Sequence, residues 1–381
     1  MVADLSPGES SSSPYRFANV NGTLFFTAKT QGHGRELWKS DGTESGTQMV
    51  IDLFPGPEAS SPFSLTNVNG TLYFTANDGI HGEELWKSDG TAAGTQLVAD
   101  IRPGPLSGTI YQLTHVNGML FFGAEDRTHG VELWTSDGTS AGTKMVADIN
   151  DGRESSEPNH LTNVNGTLFF SAKDSNLSKA GTRGVELWKS DGTSSGTRLV
   201  KDICAGPGNS YLLSLTNSNG TLFFTATDGV HGRGIWMSDG TASGTRIVTT
   251  LNGGNSSYGE NFQQLFHASD TMMFTVGGLG RYHRLWKTDG TSSGTQAVSR
   301  STAGGQVSML SYGRVVTVHG AAYFCGVEGN DGPELWKIDG TPLGTQPITD
   351  LSTEAKMYHL PRVVSSTRCS CAVGRQWRRV R

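Results

Sequence analysis

Hydrophobic residues fall in short runs along this chain, and polar turn residues break those runs at regular places. Within residues 63–101 the runs are Phe63–Val68, Thr71–Ala76, Glu84–Ser88 and Thr95–Ile101. Asn69-Gly70 divides the first two, and Asn-Gly between alternating runs is a strong hairpin signal because both turn residues take φ > 0. The pair recurs at Asn21-Gly22, Asn117-Gly118, Asn165-Gly166 and Asn219-Gly220, with Ser269-Asp270 and His319-Gly320 in the later places. Asn77-Asp78-Gly79, Asp89-Gly90-Thr91 and Arg102-Pro103-Gly104-Pro105 close the other runs. No stretch sustains a 3.6-residue period with caps, so the pattern predicts strands and few helices.

The apolar positions also say how the strands are covered. Leu72 and Phe74 alternate with Tyr73, and Leu24-Phe25-Phe26 is apolar on both faces, as stacked sheets require. Four short strands make one antiparallel sheet too small to stand alone, so each sheet must lie against copies of itself. Leu85 and Trp86 supply a second apolar layer. A tryptophan is large enough to fill the wedge between neighbouring sheets, and its indole N–H needs a partner once buried.

The copies are visible. Trp38, Trp86, Trp134, Trp188, Trp236, Trp286 and Trp336 are spaced 48, 48, 54, 48, 50 and 50 residues apart. Each sits in nearly the same text, such as RELWKSDGTESGT and EELWKSDGTAAGT, and Asp-Gly-Thr followed by Gly-Thr recurs in all seven. A repeat of about 50 residues with four strands predicts an all-β fold, a β-propeller of four-stranded antiparallel blades. Seven units imply seven blades, with a truncated eight-bladed ring as the alternative. Residues 1–360 read as one propeller and 361–381 as a basic, disordered tail.

Composition narrows the function classes. The chain has 51 glycines, 35% hydrophobic and 17% charged residues, which suits many thin layers rather than one thick core. A net charge of −5 argues against a nucleic-acid-binding body, and no apolar run is long enough to span a membrane as a helix. The start, MVADLSPGESSSSP, lacks signal-peptide features and resembles the interior of a repeat (LVADIRPGP at 97–105), which suggests a truncated beginning. Cys204, Cys325, Cys369 and Cys371 form no regular framework and read as stray thiols.

The motif Glu-Leu-Trp-Xaa-Xaa-Asp-Gly-Thr, complete at Glu36–Thr43, Glu84–Thr91, Glu132–Thr139, Glu186–Thr193 and Glu334–Thr341, resembles the signature of the ELWxxDGT-repeat proteins. Gly234-Ile235 and Arg284-Leu285 depart from it. The resemblance covers residues 1 to about 360 and implies a bacterial secreted or surface protein, but it carries no activity onto particular residues. A looser similarity, in the order of Asp-Gly turns and apolar strands, is to TolB-type propeller repeats. By that resemblance Met1–Leu5 is equivalent to a fourth strand that would complete the sheet begun by Ala321–Asp339. Pro347–Leu351 competes for the same place.

Candidate chemistry is sparse. His33, His81, His129 and His231 lie five residues before their tryptophans, with Arg183, Arg281 and Asp331 in that place elsewhere. They are candidate ligand-binding residues, against the simpler reading that each caps its own loop. One metal ion needs ligands at about 2.0–2.1 Å, which equivalent loops of separate blades do not reach. Asp41, Asp89, Asp137, Asp191, Asp239, Asp289 and Asp339 offer one carboxylate per turn, too few for a calcium loop, and read as structural turn residues. Asp4, Asp52, Asp100, Asp148, Asp202 and Asp350 end the fourth strands, where turn residues are expected. The Asn-Xaa-Thr sites at Asn21, Asn69, Asn165 and Asn219 are explained by their hairpins.

No hydrolase, metalloprotease, P-loop or dinucleotide fingerprint occurs, and the irregular stretches Asp174–Arg183 and Asn252–Arg284 carry no triad. The sequence therefore predicts no catalytic residues, no metal and no cofactor. It predicts a monomeric, extracellular or cell-surface scaffold that binds protein or carbohydrate but neither nucleic acid nor a membrane core. A polysaccharide-acting hydrolase or lyase with its pocket in the central channel is the alternative. The five arginines in the last fourteen residues read as a tail translated out of frame from near Ser365.

Overall fold

A computed structural model describes residues 1–8, 11–174, 183–250, 261–268, 271–277, 282–298, 307–310, 315–328, 333–338 and 345–349. Asp339, Asp350, Arg281, Asp331, Ser269-Asp270 and the tail 361–381 lie outside the described residues. All regular structure among the described residues is strand. The second sheet comprises Phe63–Val68, Thr71–Asn77, Glu83–Ser88 and Gln96–Ala99, paired antiparallel in that order. Four-stranded sheets of the same order begin at Tyr15, Tyr111, Asn159 and Leu213. The hairpin signals act as expected: Asn21, Asn69, Asn117, Asn165 and Asn219 have φ between 48° and 51°, and each is followed by a glycine with φ of 80–87°.

The chain divides into two compact units, 1–215 with 240–242, and 216–239 with 243–381. In the first unit the two-faced second strand is the element that joins neighbours. Leu72, Phe74, Ala76 and Trp86 pack against Val20, Phe25, Leu37 and Val50 of the preceding sheet. Tyr73 and Leu85 instead meet Leu120, Phe122, Ala124 and Trp134 of the following one. The third and fourth sheets repeat this with Phe121 and Leu133 against Leu168, Phe170 and Trp188. Each fully buried phenylalanine stabilises its interface by roughly 1.5–3 kcal/mol. Polar clasps tighten the seams: Lys39, Lys87 and Lys189 each donate from Nζ to the carbonyl of Gly90, Gly138 and Gly240, at 2.7, 2.9 and 2.7 Å.

The first strands of the four leading sheets lie against one another in turn. Thr66, Thr114 and Thr162 lean their hydroxyls toward the carbonyls of Leu113, Leu161 and Leu215 at 3.4–3.5 Å. The sheets of this unit therefore converge along their first strands, and this inner edge is where their residues meet.

Two features depart from the simple repeat. In the second unit, Asn261–Ala268, Thr271–Gly277, Tyr282–Thr288 and Gln296–Ala297 do not form a separate sheet. The fourth of these strands has only two residues, and Val307–Leu310 pairs with Tyr282–Arg284 in the vacant place and with Gly326–Glu328 beyond. Unpaired strand edges need partners, so a short fourth strand invites the next segment in. Phe324, Trp336 and Ile338 complete this shared core with Met273 and Leu285. At the other end of the chain, Gln346–Thr349 supplies the fourth strand beside Glu334–Ile338, while Met1–Leu5 forms no strand. Leu5 instead packs on Phe26, Ala28 and Trp38.

Candidate functional site

The Asp-Gly-Thr turn is closed on itself. Asp41 Oδ1 accepts from the Thr43 amide at 2.9 Å and from its hydroxyl at 2.7 Å. The Thr43 hydroxyl in turn accepts from the Gly46 amide, and the Thr47 hydroxyl donates to the Thr43 carbonyl. The same bonds recur at Asp89, Asp137, Asp191 and Asp289, where the threonine donors hold each carboxyl below its ordinary value. A Cβ at Gly46 would lie 1.9 Å from the Asp41 carboxylate, so the repeated Gly-Thr is required by close approach. Cavities of about 310 Å³ beside Lys39, Asp41 and Asp89 and about 370 Å³ beside Lys189, Asp191 and Arg198 open at these turns. Their carboxylates are already engaged in the turn.

The histidines are likewise occupied within their own loops. Asp78, Asp126 and Asp228 each accept from the following histidine's amide and from its ring Nδ1, at 2.7, 2.9 and 2.6 Å for His81, His129 and His231. The bond to Asp78 raises the His81 pKa, as that to Asp126 raises His129. Burial opposes ionisation of Asp126, but the His129 and Thr128 donors hold it down to about 2. His33 meets the Thr30 hydroxyl at 3.1 Å, and Arg183 takes the place with Asp174 at 2.8 Å. Among the described residues no group of three or more His, Cys, Asp or Glu side chains is placed to hold a metal ion.

A further set went unread in the sequence. Glu36, Glu84, Glu132 and Glu186 of the Glu-Leu-Trp motif are fully buried. Glu36 accepts from Leu53 and Ser60 amides at 3.1 and 2.8 Å, tying the segment that leads to the next sheet. Glu132 does the same with Ile149 and Ser156. Glu84 holds Ile101 and Arg102, and burial pushes its carboxyl up to about 7, as it does that of Glu186. The signal was present: a charged residue two positions from the buried tryptophan shares its face of the strand. Beside these, Asp52 and Asp148 accept from the Gly56 and Gly152 amides, so the acids after the fourth strands are turn residues.

What remains is the inner edge, where the repeat keeps its backbone and abandons its side chains. Arg16, Ser64, Gln112, His160 and Ser214 all have φ between 52° and 59°, a conformation unusual for residues other than glycine. In the first four sheets each lies in a stretch where the pairing of the first two strands shifts register. Tyr15, Phe63, Tyr111, Asn159 and Leu213 precede them, and Tyr15, Phe17, Phe63, Tyr211 and Leu213 are 38–59% exposed. The edge is chemically varied along its length. Arg16 stacks its guanidinium on Phe63 at 3.3 Å, and Gln112 donates to Asn159 Oδ1 at 2.5 Å while accepting from the Leu161 amide. Burial lowers the pKa of His160 and raises that of the Tyr111 phenol, which Glu157 and Glu132 raise further.

Comparison with known proteins gives a fold and nothing finer. No family model and no curated protein matches the chain. A prolyl endopeptidase structure is similar over 88% of this chain and 49% of its own, with a TM-score of 0.53 at 11% identity. Prolyl oligopeptidase B from Galerina marginata is similar over 89% of this chain and 51% of its own, with a TM-score of 0.52 at 9% identity. The β-propeller domain of the Trilobed protease from Pyrococcus furiosus is similar over 91% of this chain and 99% of its own, at 8% identity and a TM-score of 0.44. The chain spans about half the length of the two peptidases.

Proposed function

We propose that this all-β propeller of four-stranded antiparallel blades is a non-enzymatic binding or scaffold protein working outside the cytoplasm, with its ligand, a carbohydrate or another protein, held along the inner edge of the leading blades. One observation carries this reading. The recurrent polar side chains of turn, loop and third strand are engaged in their own hydrogen bonds, whereas the inner edge repeats its backbone with different, partly exposed side chains. Strained backbone at varied positions persists where something other than stability holds it in place. A surface that differs from blade to blade suits one asymmetric ligand better than an array of identical ones.

The purified chain applied to a glycan array and to immobilised surface proteins, alongside a polysaccharide-degradation assay, tests the reading. Saturable binding without turnover is the expected outcome. Depolymerisation of any polysaccharide, lost on changing a single acid, would replace it with an enzymatic role.

A further inference from the structure

The inner edge of the first blade differs from the others in charge. Two arginines meet there: Arg16 lies 4.8 Å from the Tyr15 ring centroid and 3.3 Å from that of Phe63, and Arg35 lies 4.2 Å from Tyr15 on the same blade. Arg35 donates to the Ser13 carbonyl at 2.9 Å and leans on the Thr27 carbonyl at 3.5 Å. Among the described residues neither guanidinium pairs with a carboxylate, and Arg16 Nε is buried without a hydrogen-bond partner. The corresponding positions in the next blades are Ser64 with Glu83, Gln112 with Val131, His160 with Val185 and Ser214 with Arg233, so among these five blades the double arginine belongs to the first.

Two like charges sharing one aromatic ring, in a chain of net charge −5, form a local site for an anion. A guanidinium stacked on a ring keeps its in-plane N–H groups free for bidentate contact with a planar carboxylate. Tyr15 and Phe63 are 38% and 40% exposed as whole residues, so part of their surface stays open to an apolar ligand face. An acidic peptide fits less well. The register shift between Tyr15 and Ala18, with Arg16 at φ 57°, interrupts the ladder that an added strand would need.

We propose that Arg16, Arg35, Tyr15 and Phe63 form a subsite for the carboxylate and ring face of an acidic sugar, a uronate unit within a polysaccharide. This rests on the binding role proposed above and names its ligand class.

The test is calorimetric titration of the full chain with trigalacturonate, with an uncharged galactose trisaccharide and with a short polyglutamate peptide. Trigalacturonate should bind and the neutral sugar should not. Polyglutamate should bind at least about tenfold more weakly. Arg16→Gly relieves the backbone at φ 57°, and a thermal midpoint within about 2–3 °C of the parent, measured on the same sample, separates lost binding from lost fold. It should weaken trigalacturonate binding about tenfold or more, and Arg16→Lys should recover only part of this, because a point charge lacks the planar fork. Unchanged affinity in Arg16→Gly and in Arg35→Gln, equal binding of polyglutamate, or no binding of trigalacturonate overturns the proposal. If the glycan array finds a neutral ligand that Arg16→Gly still binds, the uronate assignment fails while the broader binding role stands.

Discussion

The Asp-Gly-Thr hairpin and the start of the first strand repeat in the same blades, yet they have opposite relations to sequence. In the hairpin, side chain and backbone are one device: Asp89, Thr91 and Gly94 bond or touch each other, so a change in any of them breaks a named contact. At the first strand only the backbone repeats. Ser64 and Gln112 share φ values of 52° and 59°, but their side chains differ. Repetition of a residue thus marks a structural duty in this protein, and repetition of a conformation without the residue marks the place where recognition is proposed.

The largest effect expected from breaking this division lies in the repeated apolar layer. Phe74→Ala removes a fully buried ring from the first seam and should cost about 3–5 kcal/mol, read from chemical denaturation. A loss below about 1 kcal/mol would show that the seam is not the stabilising element.

The buried glutamates come next. Their folded carboxyls titrate above the ordinary value of 4.5, so the folded state binds more protons than the unfolded one between there and about 7 at Glu84 and Glu186. Their contribution to stability is complete below 4.5 and is lost as pH rises through about 7. His81 and His129, raised by their aspartates, act in the same direction. Thermal midpoints should therefore fall from pH 5 to pH 8, and Glu84→Gln should flatten the slope; a midpoint that rises over that range contradicts the assignment.

A smaller loss, about 0.5–1.5 kcal/mol, is expected for Lys87→Ala, which removes the clasp to the Gly138 carbonyl. Thr135 and Met237 occupy the lysine's place in other blades, which places the clasp among the weaker seam contacts. The smallest change sharpens the comparison most. Ser64→Gly should stabilise the fold slightly, by less than about 1 kcal/mol, because glycine accepts φ 52° without strain while its extra freedom in the unfolded chain offsets part of the gain. Destabilisation there, measured in urea, would mean that the varied side chains are structural after all.

Much of the fold was legible because its signals are local. Asn69-Gly70 and Asp89-Gly90-Thr91 state their own turns, and the strands observed around Trp86 match those read in the sequence to within two residues at every end. The loop contacts of His81, His129 and His231 are local, since each lies three residues after the aspartate it bonds. The buried Glu84 was harder, because its partners, Ile101 and Arg102, come from the far side of the fourth strand. The tryptophans only partly met expectation. Trp86 donates to the Ala76 carbonyl at 3.1 Å, whereas the indole nitrogens of Trp38, Trp134, Trp188, Trp236, Trp286 and Trp336 are buried without a hydrogen-bond partner.

From its residues alone this protein is committed to thin four-stranded sheets, their turns, and the two apolar faces by which they stack, because hairpin chemistry and period-two burial act over a few neighbouring positions. Which edge faces inward, and that Arg16, Arg35 and Phe63 meet there, was decided only in three dimensions. Residues 47 positions apart, such as Arg16 and Phe63, become neighbours only once whole sheets have packed, and no local pattern records that meeting.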